Sequence, residues 1–362
     1  MSVEKLVKDL NGIKSLDLSD LKKDLYIFGH GSFAKDCFKA FKEEGISPKG
    51  FIVSSKSSDN NFDDVFSIDE IDISDSIVYI GVFNREHPYQ DIIKPLEAKG
   101  CKKIIMPWDV YKSLRNHIGQ RFWLESPEYY QKNINNISKA VDMLADDESK
   151  EMLKNIVRFR SGLMNEYSAF KSNDEQYFNK LTCNSKDTNI TYVDGGAYDG
   201  DTYFECIKNI NIFEAYLFEP DPNNLETLNK NCKAADIKPA VIPLGLSDSY
   251  NTFTFSPCGE GGHIDDEGEI TIATCAMDEF FGDKKVDFIK LDIEGNEKNA
   301  LLGAKNIIKN HNPIICLSAY HKPEDIWDLA NVINSISNNY SFYLRQHLYN
   351  SLELVLYAIP TS

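Results

Sequence analysis

The chain has few basic residues for its length and no long apolar run. Its 362 residues include 39 Lys and Arg against 56 Asp and Glu, and the formal net charge is −17. Because no basic cluster offsets these acids, the composition argues against a nucleic-acid-binding protein. No apolar stretch approaches the roughly 18 residues that cross a bilayer, and the charged N-terminus MSVEKLVKDL is not a signal peptide. We therefore expect a cytoplasmic protein without a membrane span.

Cysteine patterns typical of metal sites are also missing. The eight cysteines are scattered, without a Cys-x-x-Cys pair or a zinc-like spacing with histidine. Free thiols in a reducing cytosol explain this distribution, and no zinc site is predicted. Hydrophobic residues, by contrast, make up 42% of the chain. That content and the length allow two domains with substantial cores.

The most informative stretch is ITYVDGGAYDGDT at positions 190–202, which reads as a strand, a glycine turn and a helix. Asp194 closes the strand. The three glycines allow a tight turn that lies close to a ligand, and Thr202 is predicted to cap the helix. This pattern predicts a cofactor-binding loop.

The acids near this loop indicate the kind of cofactor. Asp194, Asp199 and Asp201 would repel a pyrophosphate, whereas they suit the cationic amino acid portion of S-adenosylmethionine. Glu219 follows the next apolar strand, 19 residues after Gly200. Doubly wound folds place a carboxylate there to bind the hydroxyls of a ribose. The two features together predict a nucleoside that carries an amino acid.

Six blocks resemble a known family: VDGGAYDGDT, LFEPDP, VIPLGLSD, VDFIKLDIEGNEKNALLGA, AYHKPEDIW, and FYLRQH with ELVLYAIP. In order and spacing they look like the FkbM family of S-adenosylmethionine-dependent methyltransferases, over about residues 186–360. The resemblance implies a hydroxyl acceptor, commonly a sugar of a bacterial surface glycan or a secondary metabolite. The chain departs from the family pattern at Gly262-His263 and at Met277-Asp278, which leaves the acceptor open.

The predicted cofactor site combines the glycine loop, the Glu219 strand end and the LGLSD block, where Ser247 would lie near the adenine and Asp248 is its less certain neighbour. The cofactor-binding residues are predicted to be Asp194, Gly195, Gly196, Ala197, Tyr198, Gly200, Thr202, Glu219, Pro220, Ser247, Asp248 and Asp292.

The predicted catalytic residues follow two later strands. His321 is chosen as general base because an imidazole titrates in the useful range, with Asp292 and Lys322 beside it. His347 and His263 are second choices. No metal is predicted, although a divalent ion held by Asp292, Glu294 and His321 is an alternative. The acidic loop at 259–268 is interpreted as a lid over the acceptor.

A second glycine turn occurs near the N-terminus, where the strand LYIF at 25–28 leads into Gly29-His30-Gly31 and a helix. This start predicts a Rossmann-like domain. The next strand ends in Val53-Ser54-Ser55, without the acid that binds the ribose of NAD. In the loop at 84–88, Arg85 and His87 either hold an anion such as a sugar nucleotide diphosphate or are simply solvated.

The sequence therefore predicts an α/β protein. A class I methyltransferase-like doubly wound sheet with a C-terminal antiparallel hairpin occupies residues 186–362. A smaller Rossmann-like domain at 1–120 and a helical bridge at 121–185 precede it, and the bridge offers a surface for a homodimer. The terminal hairpin, YSFYLRQHL and ELVLYAIP, is foreign to dehydrogenase domains.

The predicted function is an S-adenosylmethionine-dependent O-methyltransferase that acts on a hydroxyl of a sugar or glycan precursor. Two alternatives are an NAD-dependent oxidoreductase that uses the Gly29 turn, and a non-catalytic module that binds S-adenosylmethionine or a sugar nucleotide. The expected partner is a small molecule or glycan.

Overall fold

The structure is a computed structural model that describes residues 2–13, 16–21, 24–56, 62–166, 171–183, 188–233, 235, 237–256, 263–264, 268 and 270–361. The chain forms two compact units that interleave in sequence. The first comprises Met1–Ser138, Glu151–Lys171 and Leu348–Glu353, and the second comprises Lys139–Lys150, Ser172–His347 and Leu354–Ser362. The segment predicted as a bridge is thus divided between the units, and the boundaries at 120 and 185 stay predictions.

The first unit contains a five-stranded parallel sheet. Its strands are β1 (Leu25–Phe28), β2 (Phe51–Val53), β3 (Val65–Ser67), β4 (Ile77–Ile80) and β5 (Lys103–Ile105), in the order β3-β2-β1-β4-β5. This order, with the first strand at the centre, is that of nucleotide-binding α/β sheets. The sequence did not predict β3, because three residues are too few to show a period.

Helices cover this sheet: α1 (Val3–Asn11), α2 (Ser32–Glu43), α3 (Gln90–Ala98), α4 (Pro107–Ile118) and α5 (Pro127–Lys132). The start of α4 illustrates the local cause: Pro107 occupies its first turn, and Asp109 Oδ2 accepts a hydrogen bond from Met106 N at 2.8 Å. Two further helices, α6 (Ile134–Met143) and α7 (Asp147–Arg160), run from one unit into the other.

The two candidate ligand loops of the first unit are tied down by internal contacts. Gly29 has φ +107°, and a Cβ there would lie 2.8 Å from Val82 Cγ2, so this glycine serves close packing. Arg85 Nη1 lies 2.7 Å from Glu353 Oε1, so its charge is already paired within the unit. His87 is exposed, with Nδ1 3.9 Å from Asp91 Oδ2.

The second unit is built on a seven-stranded sheet of order β15-β16-β14-β13-β6-β7-β8. Its strands are β6 (Thr188–Gly195), β7 (Asn211–Phe218), β8 (Ala240–Ile242), β13 (Phe288–Leu291), β14 (Ile314–Ser318), β15 (Tyr340–Gln346) and β16 (Leu354–Pro360). β16 is antiparallel to both β14 and β15, and the other pairs from β14 to β8 are parallel. The predicted doubly wound sheet with a terminal antiparallel hairpin is confirmed.

The helices of the second unit connect these strands. They are α8 (Asp201–Asn209), α9 (Pro222–Cys232), α10 (Met277–Phe281), α11 (Glu297–Leu302), α12 (Lys305–His311) and α13 (Asp325–Ile336). α9 begins at a clear signal, since Asp221 Oδ1 accepts from Asn223 N at 2.8 Å and Pro222 follows it.

A smaller sheet lies between β8 and β13 in the sequence. It consists of β9 (Gly245–Leu246), β10 (Asn251–Ser256), β11 (His263–Ile264) and β12 (Ile270–Cys275), in the order β11-β10-β12-β9. β10 and β12 pair antiparallel, from Asn251 with Thr274 to Phe255 with Ile270. Most of the loop interpreted as a lid, residues 259–262, 265–267 and Cys258 before it, lies outside the described residues.

The described residues bear on the expectations for the cysteines and for membrane-spanning helices. Every cysteine there is a free thiol, as the scattered spacing predicted. No helix in these ranges is both long and apolar enough to traverse a lipid bilayer.

The core of the second unit gives a first prediction. Phe288 on β13 is 1% exposed, and its ring centroid lies 5.7 Å from that of Phe178 and 5.6 Å from that of Tyr192. Phe288→Ala removes buried apolar surface and leaves a cavity, so we expect the free energy of unfolding to fall by about 3–5 kcal/mol. Urea denaturation followed by circular dichroism measures this change.

The matched control is Phe213→Ala, because Phe213 lies on β7 of the same sheet but is 65% exposed. Its expected change is within about 0.5 kcal/mol. Equal losses for the two variants would contradict the assignment of Phe288 to the core.

Candidate active site at the carboxyl edge of the larger sheet

The candidate site lies where β6 and β13 end side by side. Gly195 pairs with Leu291 across these strands, and Asp292 N donates to Gly195 O at 3.1 Å. The chain leaves β6 toward β7 on one side, while β13 lies on the other side. Open α/β sheets bind ligands at this kind of switch point, outside the carboxyl ends of the strands.

The two loops at this edge pack backbone against backbone. Gly196 has φ +72°, and a Cβ on it would lie only 1.9 Å from Asp292 O. On the opposing loop, Glu294 has φ 53° and Gly295 has φ 94°. A left-handed conformation at a residue other than glycine is costly and is typical of functional sites. The glycine at position 196 is therefore required by the close approach of the β13 loop.

The amide groups of the glycine loop are already used within the protein. Gly196 N and Ala197 N donate to Phe218 O at 3.0 and 3.1 Å. Tyr198 N donates to Glu219 Oε2 at 2.9 Å. A dinucleotide loop instead turns such amides toward a pyrophosphate. This loop therefore does not fit a diphosphate, in agreement with the expectation from its acids.

Glu219 is held rigidly beside this loop. Its Oε1 accepts from Asp221 N at 2.9 Å, Oε2 accepts from Tyr198 N, and the residue is 5% exposed. Burial raises the pKa of this carboxyl, while the amides of Asp221 and Tyr198 oppose the rise. Pro220, next to it, lies near Gly245 of β9. The carboxylate is thus preoriented at the end of β7, where the sequence placed a ribose contact.

Asp194 is not the free carboxylate that the sequence suggested. It is fully buried, with Oδ1 2.9 Å from Lys290 Nζ, and it accepts a hydrogen bond from Tyr192 Oη at 3.1 Å. Burial raises the pKa of Asp194 to about 6, although Lys290 opposes that rise. Lys290 on β13 already pairs with this carboxylate, which the sequence assigned to a cationic ligand. A contact with a cofactor stays a prediction.

Lys290 also shapes the loop. Its Nζ donates to Gly196 O at 2.8 Å and to Gly195 O at 3.4 Å. The side chain is 3% exposed. Burial would lower the pKa of Lys290, but the carboxylates of Asp194 and Asp292 raise it above its usual value. The buried ammonium thus links the end of β6 to the first two glycines.

Three other predicted cofactor residues have defined positions. Thr202 does not cap α8: the helix begins at Asp201 after Gly200, and Thr202 N donates to Asp201 Oδ1 at 2.6 Å. The cap prediction is wrong because the turn closes one residue earlier. Ser247 is 2% exposed, and its hydroxyl donates to Asp248 Oδ1 at 3.4 Å. Their contacts with an adenine stay predictions.

A cluster of charged groups surrounds His321, after β14. Nδ1 lies 2.9 Å from Glu297 Oε1, and Nε2 lies 3.3 Å from Asp292 Oδ1 and 3.6 Å from Glu294 Oε2. The Tyr320 ring lies beside the imidazole at 4.3 Å between centroids, and its hydroxyl donates to Asp292 Oδ1 at 3.4 Å. The acids and the histidine predicted from separate strands therefore meet.

The charges of this cluster contradict the role chosen for His321. Burial would lower the pKa of its imidazole, but Glu297, Glu294 and Asp292 raise it well above the usual value. A protonated imidazole does not accept a proton, so these carboxylates disfavour His321 as a general base, and that role stays a prediction. The choice of His321 from the sequence rested on its residue type, because the three carboxylates around it come from another segment of the chain.

Lys322 and the second-choice histidines lie in different surroundings. Lys322 N donates to Asp325 Oδ2 at 2.7 Å, and a Cβ on Gly295 would lie 3.1 Å from Lys322 Cε, so this lysine borders the cluster. His347 is 6% exposed, with Nε2 2.7 Å from Tyr357 Oη, and this contact anchors it in the core. The side chain of His263 lies outside the described residues.

Sequence reasoning missed three buried charged residues: Lys290, Glu297 and Asp325. Each of these residues occupies a position in the sequence that could have marked it as part of the site. Lys290 interrupts the apolar strand FIKL, and Glu297 and Asp325 begin helices directly after the loops that carry Asp292 and His321. Burial and the negative charge of Glu297 raise the pKa of Asp325 to about 8, and the opposing effect of His321 is smaller.

Comparisons with known proteins agree with this architecture. Residues 194–348 match the methyltransferase FkbM domain. The hexuronic acid methyltransferase AglP of Haloferax volcanii is 33% identical over 134 residues, which cover 34% of this chain and 54% of that protein. The chain therefore spans about half the length of this relative. Methyltransferase FkbM of Methylobacillus flagellatus KT has a solved structure with a TM-score of 0.76 and 19% identity, covering 98% of both chains, and shares the fold.

The contact between the two loops gives a prediction. Gly196→Ala places a methyl group against Asp292 O and forces a left-handed alanine, so we expect the free energy of unfolding to fall by about 2–5 kcal/mol. The control is Gly282→Ala, at φ +55° with no atom within 4 Å of the new Cβ. It should lose only about 1–2 kcal/mol. Parallel urea denaturation decides, and equal losses would mean that the loops do not pack tightly.

Proposed function

We propose that this chain is an S-adenosylmethionine-dependent O-methyltransferase that modifies a hydroxyl of a sugar or glycan precursor, because residues 194–348 match the methyltransferase FkbM domain. The cofactor, when bound, supplies a methyl group activated on a sulfonium. The acceptor class is inferred from the hexuronic acid methyltransferase that resembles this chain.

The proposal is carried by one observation, the preoriented Glu219 beside a glycine loop whose amides are already satisfied. The amides of Gly196, Ala197 and Tyr198 already donate within the protein and are not offered to a diphosphate, which favours a nucleoside without phosphates. Glu219 Oε1 accepts from Asp221 N and, at 3.5 Å, from Asn224 Nδ2, whereas Oε2 accepts from Tyr198 N and retains a lone pair for a hydroxyl of a ribose. We assign Glu219 to the ribose and the loop from Gly195 to Gly200 to the methionine portion.

The acceptor side is assigned to the cluster around His321. Asp292 and Glu294 are its most accessible members, with side chains 26% and 21% exposed. Burial would raise the pKa of Asp292, but His321 and Lys290 lower it below the usual value, so the carboxylate is ionised. We propose that these two carboxylates orient the acceptor hydroxyl and take up its proton, while His321 positions them. Lys322 borders the same space.

The proposed ribose contact gives a prediction for cofactor binding. Glu219→Gln keeps the shape but loses the charge-assisted hydrogen bonds, each worth about 1.5–3 kcal/mol. We therefore expect the Kd for S-adenosylhomocysteine to rise roughly tenfold to hundredfold, as measured by calorimetric titration. Glu226→Gln, an exposed change of the same kind on α9, should leave the Kd unchanged. Binding of NAD in place of S-adenosylhomocysteine would refute the proposal.

The acceptor class has its own test. Purified protein with methyl-labelled S-adenosylmethionine is incubated with nucleotide-linked hexuronic acids and, as matched acceptors, the neutral hexoses. We expect the label in a methyl ether of a sugar, identified by mass spectrometry. Label that appears in no sugar while S-adenosylhomocysteine binds would remove the sugar from the proposal and leave the cofactor in place.

A further inference from the structure

The cluster around His321 holds more negative charge than its visible cations balance. Three carboxylates and one imidazole meet there, those of Asp292, Glu294, Glu297 and His321, while the neighbouring Asp325, whose pKa is raised to about 8, is mainly protonated. The closest other cations are Lys290, which pairs with Asp194, and Lys322 at the border. One imidazolium offsets a single carboxylate.

This excess charge is deeply buried. Glu297 is fully buried, and His321 is 4% exposed. Carboxylates away from water are destabilising unless a cation or hydrogen-bond donors compensate them. A cation beside the buried Glu297 carboxylate would therefore stabilise the fold.

Glu297 provides a second, independent observation. Its Oε1 accepts a hydrogen bond from Ile293 N at 2.9 Å and faces His321 Nδ1. Its Oε2 is buried and has no hydrogen-bond partner among the residues that the structure describes. A buried carboxylate oxygen without a donor is costly, and it is a typical ligand atom for a metal ion.

The positions of the groups suit one ion. Potential ligand atoms of Asp292, Glu297 and His321 lie within 4.8 Å of one another. One ion with ligand distances of about 2.0–2.6 Å spans such a spread. Imidazole with carboxylates suits the divalent ions of the first transition series better than Mg²⁺ or Ca²⁺ alone.

We propose that Asp292, Glu297 and His321 bind one divalent transition-metal ion, for which Mn²⁺ is the probe. The coordinating nitrogen of His321 gives up its proton to solvent when the metal binds. This set differs from the alternative considered from sequence, since Glu297 takes the place of Glu294.

The proposed site suggests a task in the reaction. A hydroxyl bound to a divalent ion becomes more acidic. Glu294, next to His321, can then take the proton of that hydroxyl. This task rests on the proposed methyl transfer, whereas metal binding itself does not.

The test measures metal binding without cofactor or acceptor. The full chain is treated with EDTA, dialysed and titrated with Mn²⁺ by electron paramagnetic resonance. We expect one ion per chain, a proton released on binding, and a Kd that rises at least roughly tenfold in Asp292→Asn and in Glu297→Gln. Glu279→Gln, an exposed change on α10, should leave the Kd unchanged. Zn²⁺ should compete with Mn²⁺.

Several outcomes would overturn the site. These are no binding at millimolar Mn²⁺, or binding that none of the ligand variants weakens. A third is Mn²⁺ binding that added S-adenosylmethionine displaces, which would make the sulfonium of the cofactor the cation that this cluster binds. If Glu297→Gln does not fold, Asp292→Asn at its partly exposed position carries the test. Because the titration needs no methyl transfer, its result is separate from the fate of the proposed function.

Discussion

The buried pair of Asp194 and Lys290 is the interaction on which the site depends. It joins the two central strands of the larger sheet, and the same ammonium holds the carbonyls of Gly195 and Gly196. The glycine loop is thereby fixed against the β13 loop, where only a glycine fits at position 196. Breaking one half of a buried pair leaves an uncompensated charge, so neither residue is replaceable alone.

Two charge systems with different roles occupy the same sheet edge. Around Lys290 the charges are paired and nearly inaccessible, and the pair shapes the loop. Around His321 the carboxylates outnumber the cations and two of them reach the surface. The first arrangement is typical of a structural support, whereas the second has the excess charge and accessibility expected of a reacting centre.

Much of the larger sheet could be predicted from the sequence, because its strands are continuous apolar runs separated by glycine turns and amphipathic helices. The site was harder to predict from the sequence than the sheet. Position along the chain correctly suggested that the loops after β6 and β13 would be neighbours, since carboxyl ends of parallel strands share one edge. The partners of Asp194 and His321 could not be predicted, because Lys290 and Glu297 are far away in sequence.

The sequence by itself determined where the strands and helices of the larger sheet lie along the chain and that the last two strands form a hairpin, because hydrophobic periodicity and glycine positions are local properties of the chain. Only the tertiary structure decided which carboxylates are neutralised and which are not. The reason is physical: the protonation and strength of a buried charge follow from burial and from groups within a few ångströms, and the fold brings those groups together from distant segments.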